Sequence, residues 1–236
     1  MAYETITATI EHGIGRLTLD QPDKLNPLGT NTLQDIIDAT TWFNKENVSV
    51  VIVSGNGRAF TAGFDLREFT NTDSTGKDGA VLGREMAEAV DRMKPVTIAS
   101  LHGYCIGGGV VLASACDLRI ASENTTFSIP EVDLGIPLAW GGIPRLVREI
   151  GPAMTKELVM TCRPFDAEEA KSLGFINRVV KDADLESQTM NMAEAIRKRP
   201  QPVIETTKHQ VLSLIHISEP TRPERISYAV VGVKKK

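Results

Sequence analysis

Short β-branched or alternating runs take turns with helical stretches along nearly the whole chain, and this alternation restricts the fold more than any other feature. Glu4 to Ile10 and Gly15 to Leu19 alternate apolar and polar residues and read as antiparallel strands joined through Gly13-Ile14-Gly15. Val48 to Val53, Val96 to Leu101, Cys116 to Ile120 and Ile176 to Val180 read as short buried strands. Helices fall between them. From Asn31 to Phe43, Leu33, Ile36, Ile37 and Phe43 keep helical spacing, with Asn31 and Gln34 as a capping-box variant. Leu82 to Met93 is closed by Pro95, and stretches around Arg145–Ile150 and Thr155–Thr161 are divided by Gly151-Pro152. Asp166 with Glu169 opens a further helix that Gly174 closes, and Leu185 to Lys198 is stopped by Pro200. Strands alternating with helices predict an α/β fold with crossover connections. No shift in composition divides the chain, so one domain is expected.

Composition narrows the function classes. The 236 residues are 42% hydrophobic and carry a formal net charge of -4, which gives no electrostatic footprint for nucleic acid. No apolar run approaches the roughly 20 residues that span a bilayer, and the first residues lack the basic and apolar regions of a secretory signal. Cys105, Cys116 and Cys162 are widely spaced without a CxxC, as expected in a reducing cytoplasm. His12, His102, His209 and His216 show no zinc-ligand spacing, so no metal is expected.

Two glycine-rich stretches follow predicted strands: Ala59-Phe60-Thr61-Ala62-Gly63-Phe64-Asp65-Leu66, and His102-Gly103-Tyr104-Cys105-Ile106-Gly107-Gly108-Gly109 leading into a helix near Val110. Small residues at a strand-to-helix junction let backbone N–H groups face a ligand. Neither stretch contains GxGxxG, and no Gly-Lys-Ser/Thr follows, so dinucleotide and P-loop readings fail. Two loops that can each offer one N–H to a single oxyanion remain, alongside the alternative of tight turns that only pack. A third segment, Phe127-Ser128-Ile129-Pro130-Glu131-Val132-Asp133-Leu134-Gly135, places Glu131 on an ordered turn among apolar residues. A carboxylate there can be partly desolvated and its pKa raised toward the working range of an acid/base; a purely structural carboxylate is the alternative.

In this order and spacing, these segments resemble the enoyl-CoA hydratase/isomerase (crotonase) family, from about Ile6 to about Gln210. The marks are LDQPDKLNPL, AFTAGFDL, GYCIGGGVVLASACDLRIAS, FSIPEVDLGI and FDAEEAKSLGFINRVV. The resemblance implies a spiral of repeated ββα units, assembled as a homotrimer or hexamer, and an acyl-CoA thioester as substrate. No cofactor is implied beyond the coenzyme A of that substrate. It assigns the thioester carbonyl to the N–H groups of Phe64 and Gly108. The adenine and pantetheine would run along Lys24, Leu25 and Asn26 and along Ala62, Gly63, Asp65 and Leu66, while Trp140 would line the acyl pocket and Val111 also counts among the substrate-binding residues.

The sequence also departs from that pattern. Family hydratases carry a glutamate two residues beyond the last glycine of the second loop as well as one in the Pro-Glu turn; here the first position is Val111 and the second Glu131. A single carboxylate suits proton transfer from C2 to C4, so a 3-enoyl to 2-enoyl isomerase is expected, with a hydratase or a non-catalytic acyl-CoA binder as alternatives. Asp133, two residues from Glu131 on an extended turn, would aim elsewhere and reads as structural. His102 reads as turn support, and Asp65 and Asp117 as acceptors of local backbone bonds.

Residues 1–211 are expected to form the acyl-CoA domain with incomplete C-terminal helices, and residues 212–236 a tail foreign to the family. LSLIHISEPTR is similar to the in-frame translation of a transposase-type sequencing adaptor, and Pro220, Pro223 and the lack of an apolar stripe argue against a helix there. Five of the 26 basic and two of the 30 acidic residues fall in this tail, so the remainder has a net charge of -7. The terminal lysines are therefore not read as a membrane or nucleic-acid patch.

Overall fold

Strands β1 (Ile6–Glu11) and β2 (Ile14–Leu19) form an antiparallel hairpin, and helix α1 (Thr30–Phe43) and strand β3 (Val50–Gly55) follow. Next come α2 (Leu66–Phe69), α3 (Gly79–Asp91), β4 (Val96–Leu101), β5 (Tyr104–Ile106) and α4 (Gly108–Ala115). The chain continues through β6 (Leu118–Ser122), β7 (Thr126–Ser128), α5 (Gly142–Thr161), β8 (Phe165–Asp166) and α6 (Ala167–Ser172). It ends in β9 (Arg178–Val180), α7 (Leu185–Arg197) and α8 (Gln201–Ser218). These elements come from a computed structural model that describes residues 3–69 and 79–218.

A six-stranded sheet has the order β1-β2-β3-β4-β6-β9, with every pairing after the hairpin parallel. Beside it lies a small sheet, β5-β7-β8. β4 and β6 each pass almost directly into a strand of this small sheet and then into a helix. The chain thus coils as strand–strand–helix units, and equivalent loops of successive units end up side by side. One face of the large sheet (Leu17, Leu19, Val51, Val53, Ala99, Leu101) packs with α1, α3 and α4, including Leu33, Ile36, Met86 and Val90. The other face (Ile14, Val50, Ile52, Ile98, Ile120) is covered by Leu185 and Ala193 of α7. Each such fully buried aliphatic side chain is worth about 1.5–3 kcal/mol. Among the described residues, no helix is long and apolar enough to cross a membrane.

The expected strands and helices are present, and the differences have local causes. The hairpin turns at His12-Gly13, both at positive φ (51° and 78°), not through Gly13-Ile14-Gly15, because two such residues make the tight turn that suits strand twist. The capping box at Asn31 and Gln34 does not form: Gly29 is the N-cap of α1, and the distant Glu68 carboxylate accepts from the Thr30 N–H at 2.9 Å. Asp166 does cap α6, accepting from Glu169 N–H at 2.8 Å, and Gly174 sits at φ 86° just beyond it. At Gly151 (φ 77°, ψ 165°) α5 breaks into two helices, as the Gly-Pro pair predicts. The short strands β5, β7 and β8 carry no legible period and were not anticipated, nor was α8. Pro200 ends α7, but a second helix starts directly after it and runs through Ser218, seven residues into the segment expected to be non-helical. The rest of that segment, 219–236, lies outside the described residues.

Candidate active site

The small sheet brings the three chemistry-bearing segments together. Thr61 makes a single bridge to Cys105, with Thr61 N–H donating to Tyr104 O (3.0 Å) and Ile106 N–H to Thr61 O (3.2 Å). The first glycine-rich loop is thereby one rung beside β5. β5 pairs in parallel with β7, and Gly107 N–H donates to Ser128 O at 2.9 Å, so the second loop lies beside the strand that leads to Glu131. On the far side, Leu28 bridges Phe64, Leu28 N–H donates to Gly63 O (2.8 Å) and Ala62 N–H to Leu25 O (2.9 Å). The order Leu25–Leu28, Thr61–Phe64, Cys105–Gly108, Ser128–Glu131 is one continuous arrangement of segments up to 106 residues apart in sequence.

Close approach explains the glycines. Gly63 sits at φ 90°, and a Cβ there would lie 2.7 Å from Ile106 O and 3.7 Å from Gly108 N, so the two loops touch through it. Gly108 opens α4, two residues earlier than expected, and an N–H at that position has no acceptor within its own helix. A Cβ on Gly107 would meet Glu131 Oε1 at 2.5 Å; the carboxyl lies directly against the residue before Gly108. Glu131 Oε2 is buried without a hydrogen-bond partner. Burial pushes the Glu131 carboxyl above its ordinary value, against a weaker opposing bond from its own backbone N–H.

The remaining expected residues take distinct places. Val111 is fully buried in the first turn of α4, against the Gly142 backbone. Trp140 is 7% exposed, with its ring over Gly108 and edge-on to Phe64 (centroids 5.9 Å apart, 83°). Lys24 is exposed on a 3-10 turn, and Leu25 and Asn26 follow at positive φ (61° and 53°). The Asn26 side chain is buried and fully occupied: Nδ2 donates to Asn56 O and Ala59 O (both 2.9 Å) and Phe60 O (3.2 Å), and Oδ1 accepts from Gln21 N–H (2.8 Å). Asn26 therefore holds the first loop in shape, with both polar side-chain atoms engaged by the backbone. Asp65 accepts from the backbone and guanidinium of Arg67, which holds its carboxyl low, and Leu66 opens α2. Asp133 is exposed on the 3-10 turn Val132–Leu134.

His102 Nε2 lies 2.9 Å from Gly57 O, and Asp117 accepts from Thr97 N–H at 2.7 Å. Cys105 and Cys116 are buried and unbridged, and burial raises both thiols, Cys116 to about 12. No group of three or more His, Cys, Asp or Glu among the described residues could hold a metal ion. A separate polar cleft of about 550 Å³ at the carboxyl ends of the large sheet is lined by Arg16, Ser54, Arg58, His102, Ser122 and Asp182 among others, and contains none of the expected site residues. Sequence reasoning missed the Asn26 network and the glycine seat of the indole, because neither leaves a periodic signal.

Residues 9–224 match the family model described as enoyl-CoA hydratase/isomerase. A crotonyl-CoA hydratase of Syntrophomonas wolfei is 35% identical over 211 residues, covering 88% of this chain and 81% of that protein. A peroxisomal Delta(3,5)-Delta(2,4)-dienoyl-CoA isomerase of Arabidopsis thaliana is 31% identical over 230 residues, covering 91% and 83%. A Thermobifida fusca protein solved in complex with acetoacetyl-CoA superposes with a TM-score of 0.83 at 27% identity, covering 89% of this chain and 87% of that one. Two glycine loops locked rung to rung, a half-buried glutamate against the second of them and matches along nearly the whole chain lead to one conclusion: the chain belongs to the enoyl-CoA hydratase/isomerase family, with the crotonase fold.

Proposed function

We propose that the protein is an acyl-CoA isomerase that moves a double bond from C3 to C2 through a thioester enolate, with Glu131 as its single acid/base. The thioester carbonyl oxygen accepts from the backbone N–H groups of Phe64 and Gly108. Glu131 as carboxylate takes a proton from C2, and the electron pair moves into the carbonyl to give the enolate. The two donors are worth most at that moment, about 2.7–4 kcal/mol for one of them. The enolate then collapses to the C2=C3 double bond as Glu131 returns the proton to C4, so no atom is gained or lost.

One observation carries this reading: Glu131 presents a buried, unpartnered carboxyl oxygen beside Gly107, while Val111, where the family's other glutamate would stand, is buried among apolar groups. Holding and activating a water between two carboxylates has half its machinery missing. Hydratase names among the relatives favour a second reading, hydration with Glu131 alone. Coenzyme A enters as part of the substrate, along the Lys24–Asn26 and Ala62–Leu66 segments, and no further cofactor or metal is required. A homotrimer or hexamer belongs to the same reading, supported by the exposed apolar side chains Val132, Leu134, Ile143 and Val147 on neighbouring elements. So does a reducing cytoplasm, with three unbridged cysteines.

The deciding experiment follows conjugated absorbance with two substrates. A 3-enoyl-CoA should gain absorbance on mixing, while crotonyl-CoA should keep it. Loss of crotonyl-CoA absorbance at an equal or faster rate would establish the hydratase instead. No change with either, together with no deuterium exchange at C2 of butyryl-CoA, would leave a non-catalytic binder.

A further inference from the structure

We infer that Trp140 limits the acyl chain, confining this site to short-chain thioesters; this rests on the acyl-CoA reading above. The indole fills a seat cut by two glycines. A Cβ on Gly83 of α3 would lie 2.0 Å from the ring, and one on Gly108 would lie 2.3 Å from it. The ring therefore presses on the backbone of one proposed oxyanion donor residue. It also stands edge-on to the other, Phe64, and its Nε1 donates to Gly79 O at 3.1 Å. One side chain thus touches both donor residues, while the Glu131 carboxyl lies against Gly107, the residue before Gly108. In this reading, with the carbonyl between the donors and C2 beside Glu131, the indole against both donor residues stands in the way of carbons beyond C4.

The backbone at this point is strained and held. Trp140 sits at φ 59°, a left-handed conformation that is a genuine outlier for a bulky side chain, and Gly141 follows at 69°. Arg145 donates to Gly141 O (3.1 Å) and Trp140 O (3.4 Å), and is itself largely buried and paired with Asp91 at 3.6 Å. A tryptophan that only filled the core could do so from a relaxed backbone. Strain of this kind persists where the surroundings over-determine a placement, and it clusters at ligand sites.

Calorimetry with butyryl-CoA and octanoyl-CoA tests this without turnover, using the wild type, Trp140→Phe and Trp140→Ala. Each added methylene buried in an open pocket would otherwise tighten binding about fourfold. The wild type should instead prefer butyryl-CoA by at least about tenfold. The octanoyl-to-butyryl affinity ratio should rise about tenfold or more in Trp140→Ala, with Trp140→Phe between; the phenylalanine variant keeps the test open if the alanine variant does not fold. Equal affinities in the wild type, or an equal loss for both ligands in the variants, would overturn the inference and leave the acyl-CoA reading intact. Failure of the wild type to bind either thioester would overturn both.

Discussion

Glu131 combines two properties that conflict: one carboxyl oxygen is buried and unpartnered, yet the proposed chemistry needs the group ionised. Its folded-state pKa is raised above the ordinary 4.5, so the folded state binds the proton more tightly than the unfolded one. Stability from this group is full below pH 4.5 and is lost as pH rises through the raised value, by linkage. Glu131→Gln should therefore shift the urea midpoint upward at pH 7, and the gain should vanish below about pH 4.5, the unfolded value. The same substitution should lower isomerase turnover by about 10²–10⁴. The acidic limb of the wild-type kcat/KM profile should lie above the usual carboxylate range, since activity is lost as pH falls through the raised pKa. A destabilised neutral-pH wild type and a stabilised inactive variant form one signature; a variant less stable than the wild type at pH 7 would contradict it. In the sequence, the Pro-Glu turn and its apolar flanks left a structural carboxylate open as the alternative, and the family resemblance singled out Glu131. The sequence could not show that Oε2 lacks a partner, because that depends on which groups the distant second loop brings to it.

At the level of elements, the site is a set of rungs, and glycines set their spacing. Gly63 and Gly151 share a positive φ (90° and 77°) but differ in surroundings: Ile106 O would stand 2.7 Å from a Cβ on Gly63, whereas nothing lies within 4 Å of one on Gly151. Gly63→Ala must push the two loops apart and should reduce kcat/KM by about 10²–10³, the loss of one oxyanion donor. Gly151→Ala should leave turnover unchanged and cost about 1–2 kcal/mol of stability in backbone strain, read from urea unfolding. Both loops were legible as strand-to-helix junctions rich in small residues. Their lateral contact was not, because β5 and β7 are only three residues long and too short to show a period. The failed cap at Asn31 has the same origin: the Glu68 carboxylate, 38 residues from the Thr30 N–H it accepts, displaces a local signal that was reasonable by itself.

At the scale of the whole molecule, an ion pair among the described residues fastens α8 to the sheet. Lys208 of α8, with its side chain only 9% exposed, donates to Asp117 Oδ2 (2.7 Å) and Pro95 O (3.1 Å), and the same Asp117 oxygen accepts from Thr97 N–H and Oγ1. Three segments therefore converge on one carboxylate at the amino edge of β4 and β6. Lys208→Met keeps the apolar stem and removes the donors, and should destabilise the fold by about 1.5–3 kcal/mol. Amide exchange should rise along α8 well before it rises in β4; unchanged protection in α8 would show that the pair does not hold the helix. We propose that the adaptor-like residues from 212 onward are foreign to the family unit, although α8 runs to Ser218 and the family match to residue 224. A continuous native reading frame at the source locus would overturn that. Composition and period were enough for the α/β class and the main strands and helices, because burial imposes a local period and turns demand particular residues; the three candidate segments stood out by their glycines, their Pro-Glu turn and a family resemblance. Which loop lies on which rung, the occupied Asn26, the strained Trp140 in its glycine seat and the isolated Glu131 oxygen arose only on folding. Each depends on contacts between segments tens of residues apart, and no local pattern encodes such contacts.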